Sequence, residues 1–597
     1  MNRRESLKYL GTGLALSILP WPNSIKAIGK NGLYVAGLKK PTSVYITWAA
    51  HDELSDTIPL TEALAMKQLN EMLRLKKEGM FFDYYLMDMF WFDKNLGYRE
   101  FKREGWPNGP DNWIAACLAN GIKPGLWLST NVMGWGKMRW MLPIDEWKDS
   151  SCWNDSALCM FYGGYLNSMI KTMQMWYDKG IRMFKFDFAN FLATPDEFLK
   201  THTEREIIEK NEAAWFSALK IFREKNPEIV LLAYNGYGGQ LSNTSVNIKK
   251  TVDLKWLEVF ESLYCGDPRP ADVPCHNFWR SKDIYSDHMV FQYQRNGVPL
   301  DRIDNTAFMI GTTGTCYKRG KQAWKGMLIL SGARGGWMNT YYGNLDLLTN
   351  EDARWASKVQ AMFYSLQEYG RFETFGNLPG SAKPYGFVAR EREGRLVTVI
   401  NPSQKVCEID IPSENYPSAR LLFTDQGFRP VLSGNKIVLG PEQMALVGFG
   451  KYNADKYDLG VEADVFIPLD VVEFPIQMVN VKPGQWRGTL MPPVDKKLRF
   501  VFRLTTPNGE PLRITGGELA ERASMGTIIR IEVTQQNKPI PMVIHYDKKI
   551  WSGLSWAVAE TEMPFSEKAK PLNVLFYADP AQVANAHLHT TILGITI

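Results

Sequence analysis

Between residues 40 and 340, short apolar runs alternate with amphipathic stretches of helical period, and no other feature of the chain narrows its fold so far. Residues 43–48, 82–88, 123–129, 181–188 and 228–235 predict strands; residues 60–77, 111–120, 162–178 and 204–225 predict helices between them. Further strands are expected at 254–259, 306–311 and 326–330. Strands that are apolar on both faces and separated by helices make a parallel sheet. Over this length the pattern predicts a (β/α)8 TIM barrel, placed at residues 28–370. An open doubly wound sheet is the rival. The barrel is preferred because no glycine-rich dinucleotide fingerprint follows the first strand, and because chemistry-bearing residues recur at strand C-termini.

Beyond residue 376 the texture changes to short alternating strands and turns, with runs at 385–389, 395–400 and 444–449. These predict an antiparallel β-sandwich over 371–455. A polar stretch near 452–460 leads into a further β-rich accessory domain, 456–597, carrying Trp486, Trp551 and Trp556. Those tryptophans are expected either to bind carbohydrate or to pack a spacer domain. At the other end, Arg3-Arg4, Leu7-Lys8, an apolar run over 9–20 and Ala27 read as an export signal spanning 1–27, of twin-arginine type. The run is too short for a stable transmembrane helix, so a periplasmic or extracellular protein without stable membrane insertion is expected.

The formal net charge is +5, from 69 basic and 64 acidic residues, which is too small to favour a nucleic-acid partner. Twenty Trp, 25 Tyr and 30 Phe supply flat rings of the kind that stack on pyranoses. Seven cysteines leave one over if the rest pair, and Cys152/Cys159 and Cys265/Cys275 are near enough in sequence to bridge loops. No CxxC, HExxH, GxSxG or Walker A sequence occurs. His587 and His589 alternate on an expected strand and read as surface histidines. Glu258 and Glu261 could line a cleft or form salt bridges. No metal or cofactor is expected.

Three segments carry the chemistry. In 183–188, Lys185 and Asp187 fall on one face of a strand, and a lysine beside a carboxylate keeps it ionised. In 275–287, Arg280, Asp283 and Asp287 offer an acid and a group to orient it, unless the aspartates only cap the following helix. In 87–93, Asp88 ends a strand and could accept from sugar hydroxyls, while Trp127, on the next strand, could stack beneath a ring. Two carboxylates from different strand ends meet the minimum for glycoside hydrolysis.

In this order the segments resemble the α-galactosidase (melibiase) superfamily of retaining glycoside hydrolases, families 27 and 36, over residues 40–450. The resemblance implies Asp187 as nucleophile, Asp283 as acid/base with Asp287 its rival, and Lys185, Arg280 and Asp88 as substrate-binding residues. Asn235-Gly-Tyr-Gly-Gly239 stands where family 36 keeps a Cys-Ser-Gly-Gly-Gly run, which makes Asn235 a substrate-binding candidate. Met89 replaces the second aspartate of the family's early motif, so recognition of galactose itself is expected to be weakened. The expected activity is hydrolysis of terminal α-galactosides, or a related α-linked sugar, in an oligosaccharide or polysaccharide. A decayed carbohydrate-binding protein and a transglycosylase on the same scaffold remain alternatives.

Overall fold

The computed structural model describes the chain except residues 1–40, 49–59, 90, 136–137, 153–155, 238–252, 267, 269, 305–307, 312–319, 414–415, 513–528, 545–554, 567–569 and 597. The expected export signal, Cys316 and Trp551 lie outside the described residues.

The N-terminal unit is the expected parallel barrel. Its strands are β1 (Thr42–Ile46), β2 (Tyr84–Met87), β3 (Lys123–Ser129), β4 (Met183–Asp187), β5 (Val230–Ala233), β6 (Ser262–Tyr264), β7 (Ile303–Asp304), β8 (Phe308–Ile310) and β9 (Met338–Gly343). Order in the sheet is β7-β6-β5-β4-β3-β2-β1-β9-β8. Only residues 305–307 separate β7 from β8, and the first bonds β6 while the second bonds β9. β7 also lies against β9, so the two ends of the sheet come together. Every residue of β1, β2 and β4 is buried, as strands enclosed on both faces require.

Around the sheet run α1 (Glu62–Lys77), α2 (Asp111–Ala119), α3 (Tyr165–Asp178), α4 (Glu204–Lys225), α5 (Phe278–Arg295), α6 (Trp324–Ala333) and α7 (Asn350–Tyr369). The start of α4 is written locally: Thr203 Oγ1 accepts from Glu206 N at 3.3 Å, and the Glu206 carboxylate accepts from Thr203 N at 2.7 Å. Thr203→Ala should therefore lower stability by about 1 kcal/mol, read as a shift in urea midpoint at unchanged m-value.

Two expected strands need correction, and one strand was missed. Residues 254–258 form a 3-10 turn, and the sixth strand is the short Ser262–Tyr264 that follows. Residues 326–330 lie inside α6, which is buried along nearly its whole length and so has no polar face to betray its helical period. Strand β9 was not foreseen, because its Asn-Thr-Tyr-Tyr centre is polar in sequence although every residue is buried.

The sandwich comprises β10 (Arg371–Gly376), β11 (Tyr385–Arg390), β12 (Gly394–Ile400), β13 (Cys407–Asp410), β14 (Ala419–Gly427), β15 (Val431–Ser433), β16 (Lys436–Leu439), β17 (Met444–Gly450) and β18 (Gly460–Ile467). Six strands pair in the order β10-β11-β12-β17-β14-β18 and three in the order β13-β16-β15. Val388, Val397, Ile409, Ile437 and Val447 fill the space between the sheets. Strand β18 pairs in parallel with β14, so the sandwich sheet runs past the expected boundary at residue 455. Two sandwich glutamates cap barrel helices: Glu442 accepts from His276 N and Asn277 N at the start of α5, and Glu462 from Lys325 N and Gly326 N at the start of α6. A carboxylate there meets orphan N–H groups and the positive end of the helix dipole.

The accessory domain has two five-stranded antiparallel sheets around Phe500, Phe502, Val574 and Phe576. Its described tryptophans do not present rings to solvent. Trp486 is 5% exposed and Trp556 1%. Trp556 Nε1 donates to Ala271 O at 2.9 Å, and its ring lies 5.8 Å from that of Phe278. Trp556 thus seats this domain against the start of α5. The six described cysteines are thiols, so neither expected disulfide forms. Among the described residues no helix is long and apolar enough to cross a membrane, and no cluster could hold a metal ion.

Candidate active site

Parallel barrels deliver side chains to one mouth at the C-terminal ends of their strands. In register, Trp127 of β3 faces Lys185 of β4, and Ser129 faces Asp187. Lys185 Nζ donates to Asp88 Oδ2, at the end of β2, at 2.7 Å; both groups are buried. Asp88 Oδ1 also accepts from Met89 N at 2.9 Å. Asp88 is therefore first the partner of Lys185.

Asp187 is 6% exposed and is held by N–H donors alone. Its Oδ1 accepts from Asn235 Nδ2 at 2.6 Å, Phe188 N at 2.9 Å and Asn235 N at 3.1 Å, and its Oδ2 accepts from Trp127 Nε1 at 3.3 Å. Donors of this kind suit the ionised acid. Burial pushes the carboxyl above its ordinary range and Asp88 adds to that push, while Lys185, Asn235 and Trp127 pull it back. Oδ1 is saturated. Oδ2 keeps only one long bond, so it is the oxygen with a lone pair left for chemistry.

The backbone around this carboxylate is unusual. Phe188 lies in the left-handed region, φ 53°, which a residue with a bulky side chain rarely adopts. Gly236 has φ 105°, and a Cβ there would stand 2.4 Å from Ala189 O. The chain after β5 thus passes hard against the chain after β4, which brings Asn235 onto Asp187.

Of the expected site residues, the structure gathers Asp88, Trp127, Lys185, Asp187 and Asn235. Trp127 departs from its expected part: it is fully buried, parallel to Phe92 at 6.1 Å, and it orients Asp187 instead of offering a face to a ring. Arg280, Asp283 and Asp287 stand on α5, not at a strand end. Arg280 donates to Asp283 Oδ2 at 3.3 Å, to Asp425 Oδ2 of β14 at 3.4 Å and to Glu442 O at 3.0 Å. Asp287 accepts from Arg334 Nε at 2.7 Å and from Tyr385 OH of β11 at 2.6 Å. These partners belong to the sandwich and to the end of α6. Sequence reading could not see them, because they come from about 50 to 160 positions away. Glu261 likewise forms a buried ion pair, with Arg223 at 2.6 Å.

Other residues at the mouth escaped notice. Tyr234, just past β5, stacks on Tyr264 at 4.1 Å and carries Lys185 Nζ 4.0 Å from its ring centre. Its hydroxyl donates to Asp304 Oδ2, at the end of β7, at 2.8 Å and lies 2.8 Å from Tyr342 OH. Burial pushes the Asp304 carboxyl up to about 6. The signal for Asp304 was present in the sequence, but the strand was expected to start at 306, two residues too late to put Asp304 at its end.

No protein-family model matches the chain, and no curated protein matches it. Among solved structures it is similar to the galactosidase domain of an α-galactosidase–sucrose kinase, AgaSK, at 12% identity and TM-score 0.48 over 69% of this chain and 55% of that one. A family 36 α-galactosidase, AgaA from Geobacillus stearothermophilus with raffinose, matches at 12% identity and TM-score 0.47 over 69% and 56%. A family 27 β-L-arabinopyranosidase from Geobacillus stearothermophilus with arabinose matches at 14% and TM-score 0.44 over 69% and 97%. The chain spans about half the length of the first two.

Proposed function

We propose that the protein is a retaining glycoside hydrolase acting on a terminal α-linked sugar, galactose or a relative of it, with Asp187 as nucleophile. The observation that carries this reading is the setting of Asp187: a strand-end carboxylate, one oxygen saturated by N–H donors, the other open, beside the Lys185–Asp88 pair. In the first step Oδ2 attacks the anomeric carbon and a carboxylic acid gives its proton to the leaving oxygen. In the second, the same acid, now a base, takes a proton from water, which displaces Asp187.

Asp283, held by Arg280 at 3.3 Å, is the acid/base of this proposal, with Asp287, held by Arg334, as its rival. The test is release of nitrophenol from a panel of aryl α-glycosides and aryl β-L-arabinopyranoside, with the first-formed anomer followed by proton NMR. Retention is expected, and azide should rescue Asp283→Ala; rescue of Asp287→Ala instead would move the role to Asp287. An inverted first product would overturn the double displacement. No release from any glycoside, with sugar binding intact, would favour a carbohydrate-binding protein.

A further inference from the structure

We propose that Tyr234 is the positioning residue that fixes the Lys185 ammonium relative to Asp187, and that Asp304 holds Tyr234 in place. The inference deepens the reading above, since it concerns the charge beside the same nucleophile. Lys185 has two contacts that locate its charge, and they differ in kind. Asp88 Oδ2 accepts a hydrogen bond from Nζ at 2.7 Å, which sets a distance but leaves the long side chain free to swing about that contact. The Tyr234 ring lies beneath the same nitrogen at 4.0 Å, and a buried ring face attracts a cation strongly enough to close off the swing.

Tyr234 is itself held at three points. Its ring stacks on Tyr264 of β6 at 4.1 Å with planes 17° apart. Its hydroxyl donates to Asp304 Oδ2 at 2.8 Å and stands 2.8 Å from Tyr342 OH. The ring is therefore held by β6, and its hydroxyl end is tied to β7 and β9. The next residue, Asn235, gives both its N–H groups to Asp187. One dipeptide at the end of β5 thus sets the hydrogen bonds of the nucleophile and the place of its neighbouring cation. Four ionisable groups from three strand ends then bear on one another: Asp88 after β2, Lys185 and Asp187 on β4, and Asp304 on β7.

The test does not need turnover. Trp127 Nε1 donates to Asp187, so in protein labelled with nitrogen-15 tryptophan its indole resonance reports protonation of that carboxyl. Tyr234→Phe keeps the ring but loses the ties to Asp304 and Tyr342. Tyr234→Leu removes the ring face as well. With Lys185 released, the Asp187 midpoint should rise by about half to one pH unit in Tyr234→Leu, and by less in Tyr234→Phe. On a glycoside that the wild type cleaves, kcat should fall about 10- to 100-fold with KM nearly unchanged. Midpoints within about 0.2 of wild type in Tyr234→Phe, the variant chosen to keep the fold, together with unchanged kcat, would overturn the proposal. A shifted midpoint in a protein that cleaves no glycoside would uphold the positioning role and sink the hydrolase reading instead.

Discussion

Asp187→Ala should lower kcat on an activated aryl glycoside by about four orders of magnitude or more, equivalent to at least about 5 kcal/mol of barrier. The carboxylate sits at a strand end, with one oxygen fixed and the other left with a single long hydrogen bond. Oδ1 is immobilised by Asn235 and Phe188, so Oδ2 has little freedom in where it points. Removing the side chain takes away the attacking atom and leaves the donors of Asn235 and Trp127 facing a void. A small anion can enter that void. Added azide should restore part of the rate and yield the glycosyl azide of inverted configuration, because one displacement then replaces two. Asp187→Asn is the sharper comparison, since it keeps the shape but places an amide against N–H donors. Retention of more than about a hundredth of the wild-type rate in both variants would exclude Asp187 as the nucleophile.

The second large effect lies on the other face of the barrel wall. Arg280→Ala is expected to cost about 3–5 kcal/mol of stability, the usual penalty for removing one member of a buried ionic group. Arg280 is fully buried and stands between Asp283 and Asp425, so its loss leaves two carboxylates with their countercharge gone. Urea unfolding measures the loss. A change under about 1 kcal/mol would mean that the network carries no stability.

The pH dependence of unfolding follows from the same network. Burial pushes the Asp425 carboxyl up to about 6, against the opposing pull of Arg280 and of Met444 N. A carboxyl raised above its unfolded value of about 3.9 favours the folded state most when protonated. Its contribution is complete below that value and is lost as pH rises through about 6. Lowering pH from 7 to 5 should therefore raise the Asp425 contribution, and Asp425→Asn should flatten that part of the stability curve.

Much of the barrel was legible because its rules are local. Short apolar runs set between stretches of period 3.6 marked β1 to β5 and their helices. Where those signals fade, so did the reading. Helix α6 is buried all round, β6 is three residues long, and β9 hides a polar sequence inside the core.

The site divides along the same line. Lys185 and Asp187 could be paired from sequence, because alternate residues of one strand must share a face. That Asp88 takes the lysine, that Trp127 points its N–H at Asp187, and that Tyr234 underlies the ammonium depend on strands about 40 to 100 residues apart coming into register. Arg280 and Asp283 mark the limit most clearly. Their spacing, three apart on one helix face, fits a catalytic pair and a structural pair equally well. What the spacing could not show is that Asp425 of β14 and the Glu442 carbonyl, just ahead of β17, meet the same guanidinium. Sequence by itself determined which groups could ionise and which neighbours shared a face; the tertiary structure decided which charges met, since a buried ion must find its partner wherever the chain returns.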